Sequence, residues 1–376
     1  MVAESEHCIL HARHQSNVGA SMEFGIWSNG FRPHTTPAET FDEDLQEIIL
    51  ADELGMRDCY ISEHHGEPVY INKVDTLPVP ELLMCKAAGL TKQIRMGAAV
   101  TVIHLWHPVD VAIRAATTDH VIGNNRFFFG FGSGFHSPLF SEERGLTYED
   151  RHERLVESLD LILKCWNTEQ PFDWNGKHWK GKGIVATPRP LSKPMPMATA
   201  SETESMIQLA AERGYTLISA HEPPPILKKK TDKYLRYAKA AGHRQPLKNI
   251  ANARFVYLAD SRAQAIADLR EAVSFEMEFQ RKRGLLKYLM GAFGLPYNWE
   301  TVTFGDLVEC GFYLVGEPDV IGKRLEKIYT ESGGFGTLLL VTGKGWATRD
   351  KRLRSLRMFM EEVAPKLRHL EATRET

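Results

Sequence analysis

The chain has 376 residues, 25% of them charged and 43% hydrophobic, with a formal net charge of -2. That composition is enough for a sizeable globular core, and its near-neutral charge gives no support for nucleic acid or an acidic membrane as partner. No apolar run reaches the roughly 18 residues that a membrane span needs. The five cysteines (Cys8, Cys59, Cys85, Cys165, Cys310) are scattered without CxxC spacing, which points to free thiols in a reduced, cytoplasmic compartment.

The opening stretch MVAESEHCILHARHQSNVGAS lacks a continuous apolar segment, so residues 1–21 read as a flexible leader, not a secretory signal. Residues 22–28 (MEFGIWS) form a first predicted strand. Residues 40–54 form a helix that Thr40 can cap, with Glu43 at capping-box distance and Gly55 at its end. Residues 57–62 are the second strand, with Glu63-His64-His65-Gly66 at its carboxyl end, and residues 80–92 the second helix. Residues 94–102 are short, apolar and β-branched, the mark of a buried third strand. Residues 107–121 carry Val111, Ala115, Thr118 and Val121 at helical spacing, with Pro108 in the first turn. Gly123-Asn124-Asn125 is a stop and turn, and residues 126–131 are the fourth strand, closed by Gly132-Ser133-Gly134. Strand, helix and strand in about forty residues make a βαβ unit and hence a parallel sheet.

Residues 148–166 are the fourth helix, and residues 172–188 contain Asn175-Gly176 between aromatic residues, which reads as a hairpin insertion. Strands at 195–200, 216–219 and 251–259 alternate with helices at 202–213, 226–241 and 261–283. Residues 284–316 read as irregular and aromatic, a lid, a subunit contact or plain packing. A helix at 319–330, the strand GTLLLVT at 336–342 and a closing helix at 349–363 complete the pattern. Strand–helix alternation of this length predicts a (β/α)8 TIM barrel with insertions after helix four and before strand eight. Residues 22–368 are then one domain and 369–376 a tail. A doubly wound open sheet is the alternative, but the chain has no break into two halves.

In such barrels the ligand site lies at the carboxyl ends of the strands. Gly130-x-Gly132-x-Gly134 lacks the third-glycine spacing and the immediate helix of a dinucleotide fingerprint, since Pro138 follows. It reads instead as close backbone approach to a flat ligand, or as bare packing. Glu63-His64-His65 is either a satisfied rim pair or a histidine poised as acid, base or donor. With His104, His107 and His136 at other strand ends a metal site is conceivable, but no HxH on strand one and no Asp in strand eight supports it. Ser201-Glu202-Thr203-Glu204-Ser205 lies where strand five becomes helix five. Hydroxyls and free amides at a helix N-terminus suit an anion such as phosphate, and simple capping accounts for the same residues.

Taken together, IWS, ISEHH, MGAAVTVIHLWHPV, NNRFFFGFGSG, AAERG, GTLLLV and EEVAPKL, in this order from about Met22 to Leu367, resemble the bacterial luciferase-like flavin-dependent monooxygenases. The ISEH turn and the GGFGTLLL region are most similar to the limonene and diketocamphane monooxygenases. The resemblance implies a (β/α)8 barrel that uses reduced FMN as co-substrate, drawn from a separate flavin reductase, and commonly a homodimer. It implies that O2 adds to the reduced flavin as a C4a-(hydro)peroxide and that one oxygen atom enters a small hydrophobic, terpenoid- or ketone-like substrate.

Position by position, His64 matches the family's catalytic histidine, with His65 its neighbour. Ala99 and Val100, followed by Thr101, match the pair joined by a non-proline cis peptide beneath the isoalloxazine. Gly132, Ser133 and Gly134 match the strand-four loop at the flavin. Ser133 stands where luciferase has an arginine to the phosphate. Ser201, Glu202 and Thr203 match the phosphate loop, and Trp27 the substrate side of the ring. Three other readings remain: a deazaflavin-dependent oxidoreductase of the same fold, a non-catalytic flavin binder, and a metal-dependent barrel hydrolase.

Overall fold

The computed structural model describes residues 21–65, 77–134, 141–201, 203–282 and 284–370. Residues 1–20 of the leader, Gly66, His136 and Glu202 lie outside them.

The chain begins with β1 (Glu23–Phe31), α1 (Pro37–Glu53), β2 (Asp58–Ile61), α2 (Pro80–Ala88), β3 (Arg95–Ala98), β4 (Thr101–Val102), α3 (Pro108–Ile122) and β5 (Phe129–Gly132). It continues with α4 (Arg151–Asn167), the hairpin β6 (Phe172–Asn175) and β7 (Lys180–Ile184), β8 (Met197–Ala200), α5 (Glu204–Glu212), β9 (Thr216–Ala220) and α6 (Pro224–Ala240). Then come β10 (Ile250–Leu258), α7 (Arg262–Lys282), α8 (Leu285–Ala292), α9 (Phe304–Glu309), β11 (Tyr313–Gly316), α10 (Pro318–Glu331), β12 (Thr337–Lys344), α11 (Arg349–Met358) and α12 (Ala364–Leu367). The parallel sheet runs β3-β2-β1-β12-β10-β9-β8-β5-β4. Its two ends, β3 and β4, are joined by two residues of chain, and a bridge from Met96 to Phe127 draws β3 against the run into β5. The ring is therefore a barrel with β3 and β4 sharing one position, as the strand–helix alternation predicts.

Alternation along each strand sorts the core into two shells. On β10, Ala251, Ala253, Phe255 and Tyr257 join an inner cluster with Tyr60, Phe128, Leu339 and Val341, while Ile250, Val256 and Leu258 join the outer cluster under the helices. Small residues make room for the large ones inside. A Cβ on Gly97 would stand 2.2 Å from the Phe128 ring, which in turn packs on Tyr60 at 4.6 Å between centroids.

Three local expectations need correction. The first helix starts a turn earlier than Thr40: Thr36 caps it in a capping box with Glu39, and Pro37 takes the first helical position where no N–H is needed. Glu43 instead pairs with Arg349 and Arg352. The second helix stops at Ala88, and the carboxylate of Asp52 accepts the N–H groups of Lys92, Gln93 and Ile94 that follow. Residues 284–316 are not irregular. They hold α8, α9 and β11, and β11 pairs with the far half of β10, Phe255 to Leu258, beyond the stretch of β10 that pairs with β9 and β12. The predicted hairpin is present as β6–β7, held to α4 by Glu157, which accepts from Trp174 Nε1 and from the N–H groups of His178 and Trp179. Among the described residues no helix is long and apolar enough to cross a membrane.

Candidate active site

The carboxyl ends of the barrel strands form a mouth with two differently built sides. The first side is made by β3/β4, β5 and β8. Its backbone is bare because side chains do not fit. A Cβ on Gly130 would lie 1.7 Å from the Ala98 carbonyl oxygen, and one on Gly132 would lie 2.6 Å from the Val100 side chain. The Ala99–Val100 peptide bond is cis and separates β3 from β4, so the single third strand expected over 94–102 is two short pieces.

Between β5 and α5 lies a cavity of about 100 Å³ lined by Gly132, Ser133, Ser201, Thr203, Ser205 and, from α4, His152. Thr203 occupies the N-cap of α5 but makes no side-chain cap hydrogen bond. Its hydroxyl instead meets Ser201 Oγ at 3.2 Å, and its N–H donates to the same oxygen. The Thr199 hydroxyl, fully buried, also lines this cavity and has no hydrogen-bond partner among the described residues. Burial, with the nearby Arg151 charge, lowers the His152 pKa. Hydroxyls plus a helix N-terminus form a cradle of the right chemistry for a phosphate. Among the described residues no arginine or lysine lines it.

The second side is made by β1, β2, β9, β10 and β12 under α7 and α8. It encloses a cavity of about 260 Å³ whose lining includes Asn29, Phe31, His64, His221, Phe255 and Lys344. The ends of β1 and β12 are fixed there by buried charge. Arg32 bonds Asp44 and Glu47, Glu47 accepts the Gly343 N–H at 2.9 Å, and Ser28 Oγ donates to Asp44 at 2.7 Å. A Cβ on Gly343, whose φ is +68, would strike Ser28 Oγ at 2.3 Å. This close approach delivers the next residue, Lys344, to the cavity wall. Its side chain is 6% exposed, and its ammonium donates to Glu276 Oε1 at 2.5 Å and lies over the rings of Phe31 and Phe255. Glu276 Oε2 accepts from Trp346 Nε1 at 3.3 Å.

The two histidines of the Glu63-His64-His65 turn part company. His64 lines the cavity. His65 turns away, bonds Glu63 at 2.6 Å and packs edge-on against Trp106. Trp27 faces the barrel interior and donates to Ser62 Oγ at 2.9 Å. Thr101 is buried in β4, opposite Phe131. His107 caps α3, accepting from the Val109 N–H, and packs against Trp179. Among the described residues no three His, Cys, Asp or Glu side chains form a group able to hold a metal.

Sequence reasoning missed His221, Glu276, Gln280 and Lys344. His221 follows β9 with a φ of +65, and its ring stacks flat on Phe255 at 3.9 Å. Burial lowers its pKa well below 6.5, and the charges of Arg254 and Lys344 push the same way, so the ring is neutral near pH 7.

The sequence profile described as luciferase-like monooxygenase matches residues 22–334. The chain belongs to the luciferase-like monooxygenase family. That membership makes it a flavin-dependent monooxygenase. The chain is 28% identical to 4-hydroxyprotoasukamycin monooxygenase of Streptomyces nodosus subsp. asukaensis, over 92% of each chain. It is 31% identical over 164 residues, 43% of each chain, to the oxygenase component of a flavin-dependent trigonelline monooxygenase of Acinetobacter baylyi. Its fold superposes with a TM-score of 0.79 on the oxygenating constituent of 3,6-diketocamphane monooxygenase of Pseudomonas putida, solved with FMN, at 24% identity over 92% of this chain and 99% of that one. An F420-dependent secondary alcohol dehydrogenase shares the fold at a TM-score of 0.70 and 16% identity, with 93% and 99% covered.

Proposed function

We propose that this family member is the oxygenating component of a two-component system. It takes reduced FMN from a separate flavin reductase and, with O2, oxygenates a small hydrophobic, terpenoid- or ketone-like molecule. The observation that carries this reading is the split mouth: a hydroxyl cradle and bare-backbone floor on one side, and on the other a mostly apolar cavity that holds His64 and a buried ion pair. The names of the FMN-bound diketocamphane enzyme and of the trigonelline oxygenase component point the same way.

Ser133, Ser201, Thr203 and Ser205, with the first amides of α5, would hold the FMN phosphate. Glu202, outside the described residues, is proposed to contribute its backbone there. Gly132, Gly134 and the Ala99–Val100–Thr101 stretch would let the flat ring lie against backbone. The orphaned Thr199 hydroxyl fits an anion that supplies its missing partner. When bound, reduced FMN supplies the electrons that activate O2. His64 would hold or deliver a proton at the substrate side of the ring, and His65, through Glu63, would fix the turn that aims it. Trp27 would complete the floor of the substrate side. The apolar walls exclude water from the reacting centre.

A homodimer belongs to the same proposal, and Leu82, Leu90 and Val121, on or beside α2 and α3, are exposed apolar side chains that such a contact would cover. Cys59, Cys85, Cys165 and Cys310 are free thiols, which suits the proposed cytoplasmic setting.

The test is a titration with FMN, oxidised and then dithionite-reduced, followed by oxygen and candidate ketones. Tighter binding of the reduced form, with 18O entering a product from labelled O2, supports the reading. Failure of both forms to bind contradicts it. His64→Ala is expected to bind reduced FMN normally while releasing H2O2 instead of product.

A further inference from the structure

A further cavity, of about 220 Å³, lies on the outer side of β10, between the start of α6 and the second half of α10. Arg254 of β10 and Arg324, Lys327 and Glu331 of α10 line it, with apolar side chains that include Leu295, Phe312 and Leu314. Strand alternation sends Arg254 to this face, because its neighbours Ala253 and Phe255 belong to the inner cluster. His221 and Phe312 form a wall common to this cavity and the one that holds His64.

Arg254 is 2% exposed, yet among the described residues it has no carboxylate partner. Its Nε donates to Asn252 Oδ1 at 2.7 Å and its Nη2 to the Glu222 carbonyl oxygen at 2.8 Å, both neutral acceptors. Its Nη1 has no hydrogen-bond partner among the described residues. The Glu222 carboxylate accepts from Lys230 at 2.9 Å instead. Burial pulls the Arg254 pKa down to about 10, and the Glu222 charge opposes that pull only in part. Arg324 donates to the carbonyl oxygens of Val308 and Glu309 at 3.4 and 3.5 Å, and it too lacks a carboxylate partner among the described residues. Lys327 and Glu331 lie 3.7 Å apart on successive turns at the exposed rim, so the two largely cancel.

A buried arginine without a counter-ion is costly, and two arginines on one cavity share the same deficit. Water in the cavity could accept from Nη1 but would leave the charge unmatched. An anion supplies the acceptor and the charge together, and a carboxylate fits the planar fork of a guanidinium. The apolar walls ask that the carboxylate be carried on an apolar body.

We infer that this cavity is a binding site for a small organic anion, a carboxylate on a ring-sized apolar body, held by Arg254 and Arg324. The site is separate from both sides of the barrel mouth, and it stands whether or not the proposed function holds.

The experiment titrates the full chain, without FMN, by calorimetry with benzoate and with benzamide, its uncharged counterpart of similar shape. Benzoate is expected to bind about tenfold more tightly or better, the worth of a charge-assisted hydrogen bond. Arg254→Met and Arg324→Gln should each remove most of that preference. Arg324 is half-buried on α10, so its variant keeps the test open if Arg254→Met does not fold. Benzoate should also raise the thermal midpoint of the unaltered protein and leave that of Arg324→Gln in place. A purely structural arginine would shift the midpoint without changing benzoate affinity. The double variant Lys344→Met/Glu276→Gln, which alters only the cavity beside His64, should bind benzoate as the unaltered protein does.

Equal binding of benzoate and benzamide overturns the inference, and so does binding of neither. A preference that survives both arginine variants overturns it as well. Loss of the preference in Lys344→Met/Glu276→Gln would put the anion beside His64 and overturn it too.

Discussion

The two sides of the barrel mouth solve different problems with different residues. The side built on β3/β4, β5 and β8 is defined by what is missing: Gly130 and Gly132 have no side chain because neighbouring atoms already fill the space, and small hydroxyls line the gap to α5. The side built on β1, β2, β9, β10 and β12 is crowded, with stacked rings and a buried ion pair. A surface of bare backbone and hydroxyls can accept the same flat, phosphorylated group whatever the substrate. A crowded wall with fixed charge can discriminate. If the first side holds the cofactor and the second the substrate, as proposed, the contrast teaches that the two can vary independently on one scaffold.

The largest effect should come from disturbing the bare side. Gly130→Ala pushes a methyl into the Ala98 carbonyl and should cost about 3 kcal/mol or more by chemical denaturation. A wild-type midpoint would mean that the close approach is not needed. On the crowded side, Lys344→Met strands Glu276 in the core and should cost about 3 kcal/mol, with much of that recovered in the double variant with Glu276→Gln. No recovery would show that packing, not charge, is at stake. Ser201→Ala should leave stability unchanged and weaken reduced-FMN binding about tenfold.

His221 supplies a smaller, pH-dependent effect. Its folded pKa lies well below 6.5, so the unfolded chain takes up the proton first as the pH falls. Stability is therefore lost as the pH falls below 6.5, and the loss ends once the pH reaches the folded value. His221→Phe, which keeps the stacking on Phe255, should lose less stability than wild type on acidification below pH 6.5, as read by denaturation at several pH values. The smallest effect belongs to Gly291 in α8, where a Cβ meets nothing within 4 Å. Gly291→Ala should stabilise by about 0.5 kcal/mol, the ordinary helix gain.

The two sides also differ in how far the sequence discloses them. The barrel and the bare side are local signals. Strand–helix alternation, the glycines of FFFGFGSG and the SETES run each sit within a few residues, and the residues they flag meet across neighbouring strands. The crowded side is assembled from Phe31, His64, His221, Glu276 and Lys344, and no short window holds two of them. Lys344 reads as the end of an apolar strand, and Glu276, 68 residues away, as one of many charges on a long helix. Nothing in either segment shows that they pair. Likewise the four residues of β11 become a strand only through β10, and Thr36 and Thr40 each precede a glutamate by three residues, so the local pattern does not choose between them as the cap.

The most direct test of the divided mouth is a single affinity comparison. Reduced FMN and camphor, a compact ketone of the proposed substrate class, are each titrated into the wild-type protein, Ser201→Ala and Lys344→Met. The division predicts that Ser201→Ala weakens FMN about tenfold and leaves camphor alone, while Lys344→Met, which strands the Glu276 carboxylate in the wall beside His64, weakens camphor about tenfold and leaves FMN alone. If either substitution weakens both ligands together, the two sides are one site and the account is wrong.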